Sequence, residues 1–322
     1  MYLIITIDTE EDNWGDFSPT GYTLENIKKI PELQELFDEF NVKPTYLLTY
    51  PVATDKKSVS IFKKILKQGK CEIGTHCHPW NTSPFEEETN ERNSMLCNLP
   101  ADLQYRKLSS LHNTIVKKFG ITPVSFRAGK WGYDKNVAKN LYKLGYKADT
   151  SITAYTDWSA SFGPDFSDIL PKPFRFSIED IFSASSNGRM IEIPATVDYL
   201  YQNFGFSNIL FKLFARNTIN KMRLIGILNR LNLLNKVWLS PENSDSKDMI
   251  KLAKSMKRKN YNLINMFFHS STLKAGLTPF VKTKEDERQF LQRIREFLAF
   301  ARDEGIKSIK LSEAVRSMEQ DA

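Results

Sequence analysis

Short apolar runs alternate with amphipathic helical patterns along most of the chain, and this strand-then-helix rhythm restricts the fold more than any other feature of the sequence. Strand-like runs are read at Leu3 to Ile7, Thr45 to Leu48, Cys71 to Gly74, Val124 to Phe126, Tyr146 to Ala148, Ile191 to Ile193, Leu263 to Phe268 and Ile306 to Leu311. Between them, apolar spacing predicts helices at about Leu24 to Phe40, Ile61 to Gln68, Leu103 to Phe119, Lys135 to Leu144, Asp248 to Lys257 and Lys284 to Asp303. A strand, a crossover helix and a parallel strand, repeated, build a parallel sheet with helices outside, either open or closed into a barrel. The chain of 322 residues has no proline-rich or serine-rich linker and no internal repeat. One α/β domain spanning 1–322 is therefore expected, with an insertion over about 155–250 that can include the short sixth strand.

In such folds chemistry gathers at the carboxyl ends of the strands. The residues there are Asp8 and Glu10, His76 and His78, Arg127, Asp149 and His269. Period-2 geometry would put Asp8, Glu10 and Asp12 on one side if the chain stays extended, so that two carboxylates face one point. Taken by itself, the same cluster also suits a solvated acidic loop or a helix N-cap. His76-Cys77-His78 has i, i+2 spacing, which lets two imidazoles approach one ion at about 2.0 to 2.1 Å, and Pro79 sets the pair at a strand rim. Core or surface histidines would read the same way, but the chain has only 4 histidines and three fall at strand ends. Arg127 precedes a glycine-punctuated turn, where it could fork onto a carboxylate or lie at the surface. His269 stands where a pocket-facing titratable group or a core histidine would.

Composition closes off other classes. Hydrophobic residues at 41% and charged residues at 26% describe a globular chain rather than a disordered one. The net charge of +7 is spread among acids, which argues against nucleic acid as a partner. No apolar run reaches the roughly 18 to 20 residues of a membrane span. The 3 cysteines, Cys71, Cys77 and Cys97, show no C-x-x-C spacing, and with an N-terminus that lacks a basic signal region they lead us to expect a cytoplasmic protein.

These elements, in this order, resemble the polysaccharide deacetylase superfamily (NodB homology, carbohydrate esterase family 4), in the branch associated with bacterial surface polysaccharides. The resemblance covers most of the chain. It implies a distorted (β/α)7-type barrel of mostly parallel strands, with helices outside and one long insertion. Asp8 matches the catalytic base, His76 the first metal histidine, Phe126 to Gly132 the arginine motif, and His269 the general acid. Val42 to Leu48 is similar to the second strand. The branch carries an acidic ligand where Glu10 stands, and an H-x-H-P-W segment like His76 to Trp80. Many members instead have adjacent aspartates and histidines four apart, whereas Thr9 follows Asp8 here and Trp80 lies four past His76.

The implied ligands are Glu10, His76 and His78, with Asp12 in place of Glu10 as the alternative, around a divalent ion expected to be zinc. The ion would polarise an amide carbonyl and activate water. Asp8 would be the base, oriented by Arg127, and His269 the acid, with base and acid on opposite sides of the metal. Asp149 would tune His269 or contact Arg127, or serve as a structural residue. Trp80, Trp131 and Trp158 are candidate platforms for sugar rings, or packing residues. The implied activity is removal of an N-acyl group from an amino sugar; the alternatives are an inactive glycan-binding relative and an amidase or deformylase for a small non-sugar amide.

Residues 199–241 contain no acid, and set Lys212, Arg216, Lys221, Arg223, Arg230 and Lys236 among Phe204, Phe206, Leu210, Phe211, Leu213, Phe214 and Ile225. Such a stretch can contact the inner face of a membrane or grip a pyrophosphate, or can pack as an ordinary helix with a solvated basic side. A lipid-linked or nucleotide-linked amino sugar is the substrate this reading would add.

Overall fold

The computed structural model describes residues 1–12, 14–200 and 236–320. Its strands are β1 (Tyr2–Thr9), β2 (Thr45–Leu48), β3 (Glu72–Cys77), β4 (Ser125–Ala128), β5 (Ala148–Asp149), β6 (Phe174–Phe176), β7 (Met190–Glu192), β8 (Val197–Tyr199), β9 (Lys236–Trp238), β10 (Leu263–His269) and β11 (Lys307–Ser308). The α-helices are α1 (Ile30–Glu39), α2 (Tyr50–Thr54), α3 (Lys56–Lys67), α4 (Ala101–Phe119), α5 (Lys135–Lys143), α6 (Ser246–Arg258), α7 (Lys284–Asp303) and α8 (Leu311–Gln320).

Seven strands run parallel in the order β10-β1-β2-β3-β4-β5-β7, and β6 adds an antiparallel edge to β7. The two ends of this order approach each other through the chain beyond β7: Thr196 N donates to Asn265 O at 3.1 Å, and Asn265 N donates to Thr196 Oγ1 at 2.8 Å. The result is the distorted seven-stranded barrel with helices outside. The sixth ring strand, β7, falls inside the range 155–250, as do β8 and β9, which form a separate antiparallel pair.

Strand alternation sorts the side chains. Leu3, Ile5 and Ile7 of β1 join the core beneath the helices, together with Ile73 and Cys77 of β3 and Ile264, Met266 and Phe268 of β10. The alternate residues turn inward and change character from floor to mouth. Ile4, Ile191, Ile193 and Leu263 form an apolar plug with Leu311, Ala314 and Val315 of α8, where each buried Leu, Ile or Val contributes about 1.5–3 kcal/mol. Above the plug, Thr6, Asn265 and Thr150 are linked by hydrogen bonds of 3.0 and 2.8 Å. At the mouth stand Asp8, His76 and His269.

Several elements depart from the sequence reading. The expected strand from Ile306 to Leu311 shortens to β11 and gives way to α8, because Thr45 Oγ1 and Glu72 Oε2 accept from the first amides of that helix, Leu311 N at 3.1 Å and Ser312 N at 2.9 Å. Helix α2 had no legible apolar period. Helix α7 matches its expected limits, its start held by a capping box of Thr283 and Asp286. Of the basic residues at 199–241, Lys236 turns inward, donating to Tyr155 O and Thr156 Oγ1 at 2.7 and 2.8 Å. It is not part of a solvated basic side; Lys212, Arg216, Lys221, Arg223 and Arg230 lie outside the described residues, as do the apolar residues named with them. No helix among the described residues is long and apolar enough to cross a membrane.

Candidate active site

Asp8 is the last inward residue of β1 and lies in register with His269 of β10, while His76 of β3 lies in register with Arg127 of β4. Parallel pairing thus brings together four residues that are far apart in sequence. Arg127, wholly buried, donates through Nη1 to Asp8 Oδ1 at 2.8 Å. Its remaining donors reach Thr6 Oγ1, Thr150 Oγ1 and Thr150 O at 2.7, 3.1 and 2.9 Å. Burial works against the Asp8 carboxylate, but Arg127, then His76 and His269, outweigh it and hold the group below its ordinary value. Asp8 is therefore ionised at neutral pH.

Glu10, His76 and His78 are buried, and one ligand atom from each lies within 4.8 Å of the others. Glu10 Oε2 is 3.4 Å from His78 Nε2 and 3.9 Å from His76 Nε2. Metal–ligand bonds of about 2.1 Å in a tetrahedron require edges of about 3.4 Å, so the three atoms fit one divalent ion. The hydrogen bonds behind them make the same point. His76 Nδ1 donates to Arg127 O at 3.0 Å, and His78 Nδ1 donates to Glu11 Oε1 at 2.9 Å. Carbonyl and carboxylate oxygens only accept, so Nδ1 carries the proton in each ring and Nε2 is turned toward Glu10, where the neutral imidazole offers a lone pair. Glu11 is fixed in turn by Thr49 Oγ1 and Asn81 Nδ2 at 3.1 and 2.6 Å, and Ser271 Oγ donates to Glu10 Oε1 at 3.2 Å.

The titration of the trio follows from its burial. Burial pushes the Glu10 carboxyl up to about 7 against the pull of His269 and His78, and pushes His76 down to about 3. His78 is raised, because Glu11 outweighs the burial that would lower it. A cation in this pocket would replace the Glu10 proton.

His269 is held by a residue that the sequence did not reveal. Its Nδ1 lies 3.1 Å from Glu242 Oε2, its backbone N donates to Glu242 Oε1 at 2.9 Å, and Thr272 Oγ1 donates to the same oxygen at 2.6 Å. The other ring nitrogen, Nε2, lies 3.7 Å from Asp8 Oδ2. Burial alone would lower the imidazole, but Glu242 and then Glu10 overcome it and raise His269 to about 10. Base and acid candidates thus stand side by side on paired strands.

Two acidic candidates point elsewhere. Asp12 accepts from Thr23 Oγ1, the amides of Glu25 and Asn26, and Asn26 Nδ2, because β1 ends at Thr9 and extended alternation stops there. Its carboxylate pins the loop. Asp149 accepts from Ser151 N and Oγ at 3.1 and 2.8 Å beside Glu192, with no hydrogen bond to His269 or Arg127 among the described residues; Glu242 is the carboxylate that meets His269.

All 5 tryptophans line the cavity of about 490 Å³ above the trio. Trp80 stacks on His78 with ring centroids 4.1 Å apart, and Trp131 lies 5.1 Å from the Arg127 guanidinium and stacks at 6.5 Å on Trp158. Trp14 meets the His269 ring edge-on at 4.7 Å, and Trp238 completes the set. Glu242, Trp14 and Trp238 were not legible as site residues, since Trp238 and Glu242 belong to or follow β9, outside the ring, and Trp14 lies beyond the acidic residues that end β1. Glu11 stands between the two acidic candidates Glu10 and Asp12, but its turn toward His78 depends on where β1 ends.

Gly129 follows the arginine strand for a steric reason. A Cβ there would lie 2.4 Å from His78 Cδ2 and 2.7 Å from Cys77 O. Gly129→Ala should tilt the His78 ring and weaken divalent-ion affinity about 10- to 100-fold, the range seen when groups supporting a ligand are disturbed. Competition against a chelator measures this; wild-type affinity in a folded variant would refute the steric account.

No sequence-family model matches the chain, and no curated protein sequence does. Solved structures do. A structure provisionally assigned as a glycoside hydrolase/deacetylase from Parabacteroides distasonis superposes with a TM-score of 0.64 at 9% identity, covering 100% of this chain and 71% of that one. One provisionally assigned as a polysaccharide deacetylase from Mycobacterium smegmatis gives 0.54 at 14% identity, covering 99% and 91%. The chain shares the polysaccharide deacetylase fold. A GH57-type branching enzyme from Pyrococcus horikoshii matches at 0.54 and 10% identity, covering 98% and 70%. The deacetylase-type barrel therefore hosts more than one activity, and function has to be argued from the side chains.

Proposed function

We propose that this protein is a metal-dependent hydrolase that removes an N-acyl group, most simply acetyl, from an amino sugar. The observation that carries this reading is the convergence of Glu10, His76 and His78 on one point beside the Asp8–Arg127 pair and the His269–Glu242 pair. Two structural neighbours, provisionally assigned as a polysaccharide deacetylase and a glycoside hydrolase/deacetylase, support it. A divalent ion, zinc in our reading, held by the trio would polarise the amide carbonyl and acidify a water.

The chain's own groups do the proton work. Arg127 occupies Asp8 Oδ1, so Oδ2 is the oxygen that takes the water proton. His269 Nε2 gives a proton to the departing amine nitrogen, while Glu242 keeps the ring protonated and oriented. A bare glycan-binding site would need neither group. A formyl group or small cyclic amide would leave much of a 490 Å³ cavity unfilled, whereas the tryptophans offer flat faces to sugar rings. In this reading the substrate is a lipid-linked or nucleotide-linked sugar used in bacterial surface-glycan assembly, handled on the cytoplasmic side of the inner membrane. The basic residues of 199–241 motivate the membrane contact, and co-sedimentation with vesicles that is indifferent to anionic lipid would remove it.

The deciding experiment is acetate release from a panel of N-acetylated sugars by protein of measured metal content. Metal-loaded protein that releases no acyl group from any of them would overturn the proposal. The pH profile provides a sharper test of His269. Activity that needs the imidazolium is present below its folded pKa and lost as pH rises through it. The present value of about 10 rests on Glu242 and Glu10, and a neighbouring cation would bring it down. Glu242→Gln removes the larger of these two contributions, so the alkaline limb of kcat/KM should move at least about one pH unit lower. An unmoved limb would exclude His269 as the acid.

A further inference from the structure

The cavity is lined by one lysine or arginine among the described residues, Lys130. Its backbone is unusual: Lys130 and Trp131 are consecutive, with φ of 52° and 61°, in the left-handed region that residues bearing a Cβ avoid. The consequence is directional. Lys130 Nζ sits 4.4 Å from the centre of the Phe17 ring, Phe17 packs on Trp80 at 5.2 Å, and Trp80 stacks on His78. The ammonium therefore lies along one wall of the cavity, two aromatic rings away from a metal-facing histidine.

Its partners leave it incomplete. Nζ donates to Ser94 Oγ at 2.9 Å, and no carboxylate lies within ion-pair distance of it among the described residues. Burial lowers its pKa, opposed by Glu91. An ammonium has three donors, and a half-buried one with a single hydroxyl partner and one ring face has capacity left for an anion. Holding Ser94 alone does not call for a cation.

We propose that Lys130 binds an anionic group of the substrate, a phosphate or carboxylate oxygen, on the Phe17–Trp80 side of the cavity. This rests on the amino-sugar reading of the site and deepens it: the sugar would carry negative charge beside its acylated amine. A sugar phosphate and a neighbouring uronic acid both offer such an oxygen, and the test separates them.

Tryptophan fluorescence reports binding directly, since every tryptophan lines the cavity. Dissociation constants would be measured on metal-loaded protein for N-acetylglucosamine 1-phosphate, for the disaccharide of N-acetylglucosamine with glucuronic acid, and for the neutral methyl glycoside of N-acetylglucosamine. We expect wild type to bind one anionic compound at least about tenfold more tightly than the neutral one, and the compound that gains identifies the source. In Lys130→Met that ratio should fall to near one, and Lys130→Arg should retain part of it. If Lys130→Met does not fold by circular dichroism, Lys130→Gln takes its place. Equal wild-type affinities, or a preference that survives loss of the ammonium, would overturn the proposal. Acetate release measured on the same preparation keeps the two questions apart: anion preference without turnover would sink the deacetylase reading and leave the subsite standing.

Discussion

Asp8→Asn should lower turnover by about 10²- to 10⁴-fold, the range for loss of a positioned general base, while the protein keeps its metal and its fold. The substitution suits the question because of what it retains. Asn Oδ1 can still accept from Arg127 Nη1, so the buried guanidinium keeps a partner at the position where Asp8 now accepts at 2.8 Å. Leaving that charge wholly unpaired would instead cost about 3–5 kcal/mol and confuse a catalytic loss with unfolding. Asp8 is not among the three groups that fit a shared ion, so metal content should be unchanged. The measurement is kcat alongside elemental analysis of the same sample. Turnover within a few-fold of wild type would remove Asp8 as the base, and loss of the metal would make it a ligand.

His76→Ala should abolish stoichiometric metal binding and reduce turnover by at least about 10³-fold, because no other imidazole in the chain can take its place. Among the four histidines, His78 already belongs to the trio, His269 is committed to Glu242, and His112 lies on α4 in contact with Tyr146. Stability gives an independent readout. A ligand that binds only the folded state stabilises it by about 4 kcal/mol at a thousandfold excess over Kd. Titrating zinc should therefore raise the unfolding midpoint of wild type and leave that of His76→Ala where it is. A variant that still gains stability with zinc would show that the ion binds elsewhere.

The sequence displayed the barrel because the barrel is local at each step. Each inward strand face alternates with an outward one, and each crossover helix carries its own period, so Leu3 to Ile7 and Lys284 to Asp303 were legible without knowledge of their neighbours. The same logic brought out Asp8, His76, Arg127 and His269, since strand ends can be found from where apolar runs stop. It misplaced Asp12, because alternation was carried past Thr9, where the chain leaves the extended state. It assigned Asp149 to the mouth by strand order, although its oxygens are taken by Ser151 next to Glu192.

Residue type and strand position are thus properties of the sequence itself: which carboxylates and imidazoles exist, and which strand ends deliver them. Only tertiary structure decided which of them meet. The Glu242 carboxylate on His269, Glu11 behind His78, the side-by-side stance of Asp8 and His269, and the gathering of five tryptophans over one cavity all depend on contacts between segments far apart in the chain. The physical reason is that periodicity encodes which face a side chain takes, whereas a hydrogen-bond partner is set by the register and closure of the whole ring.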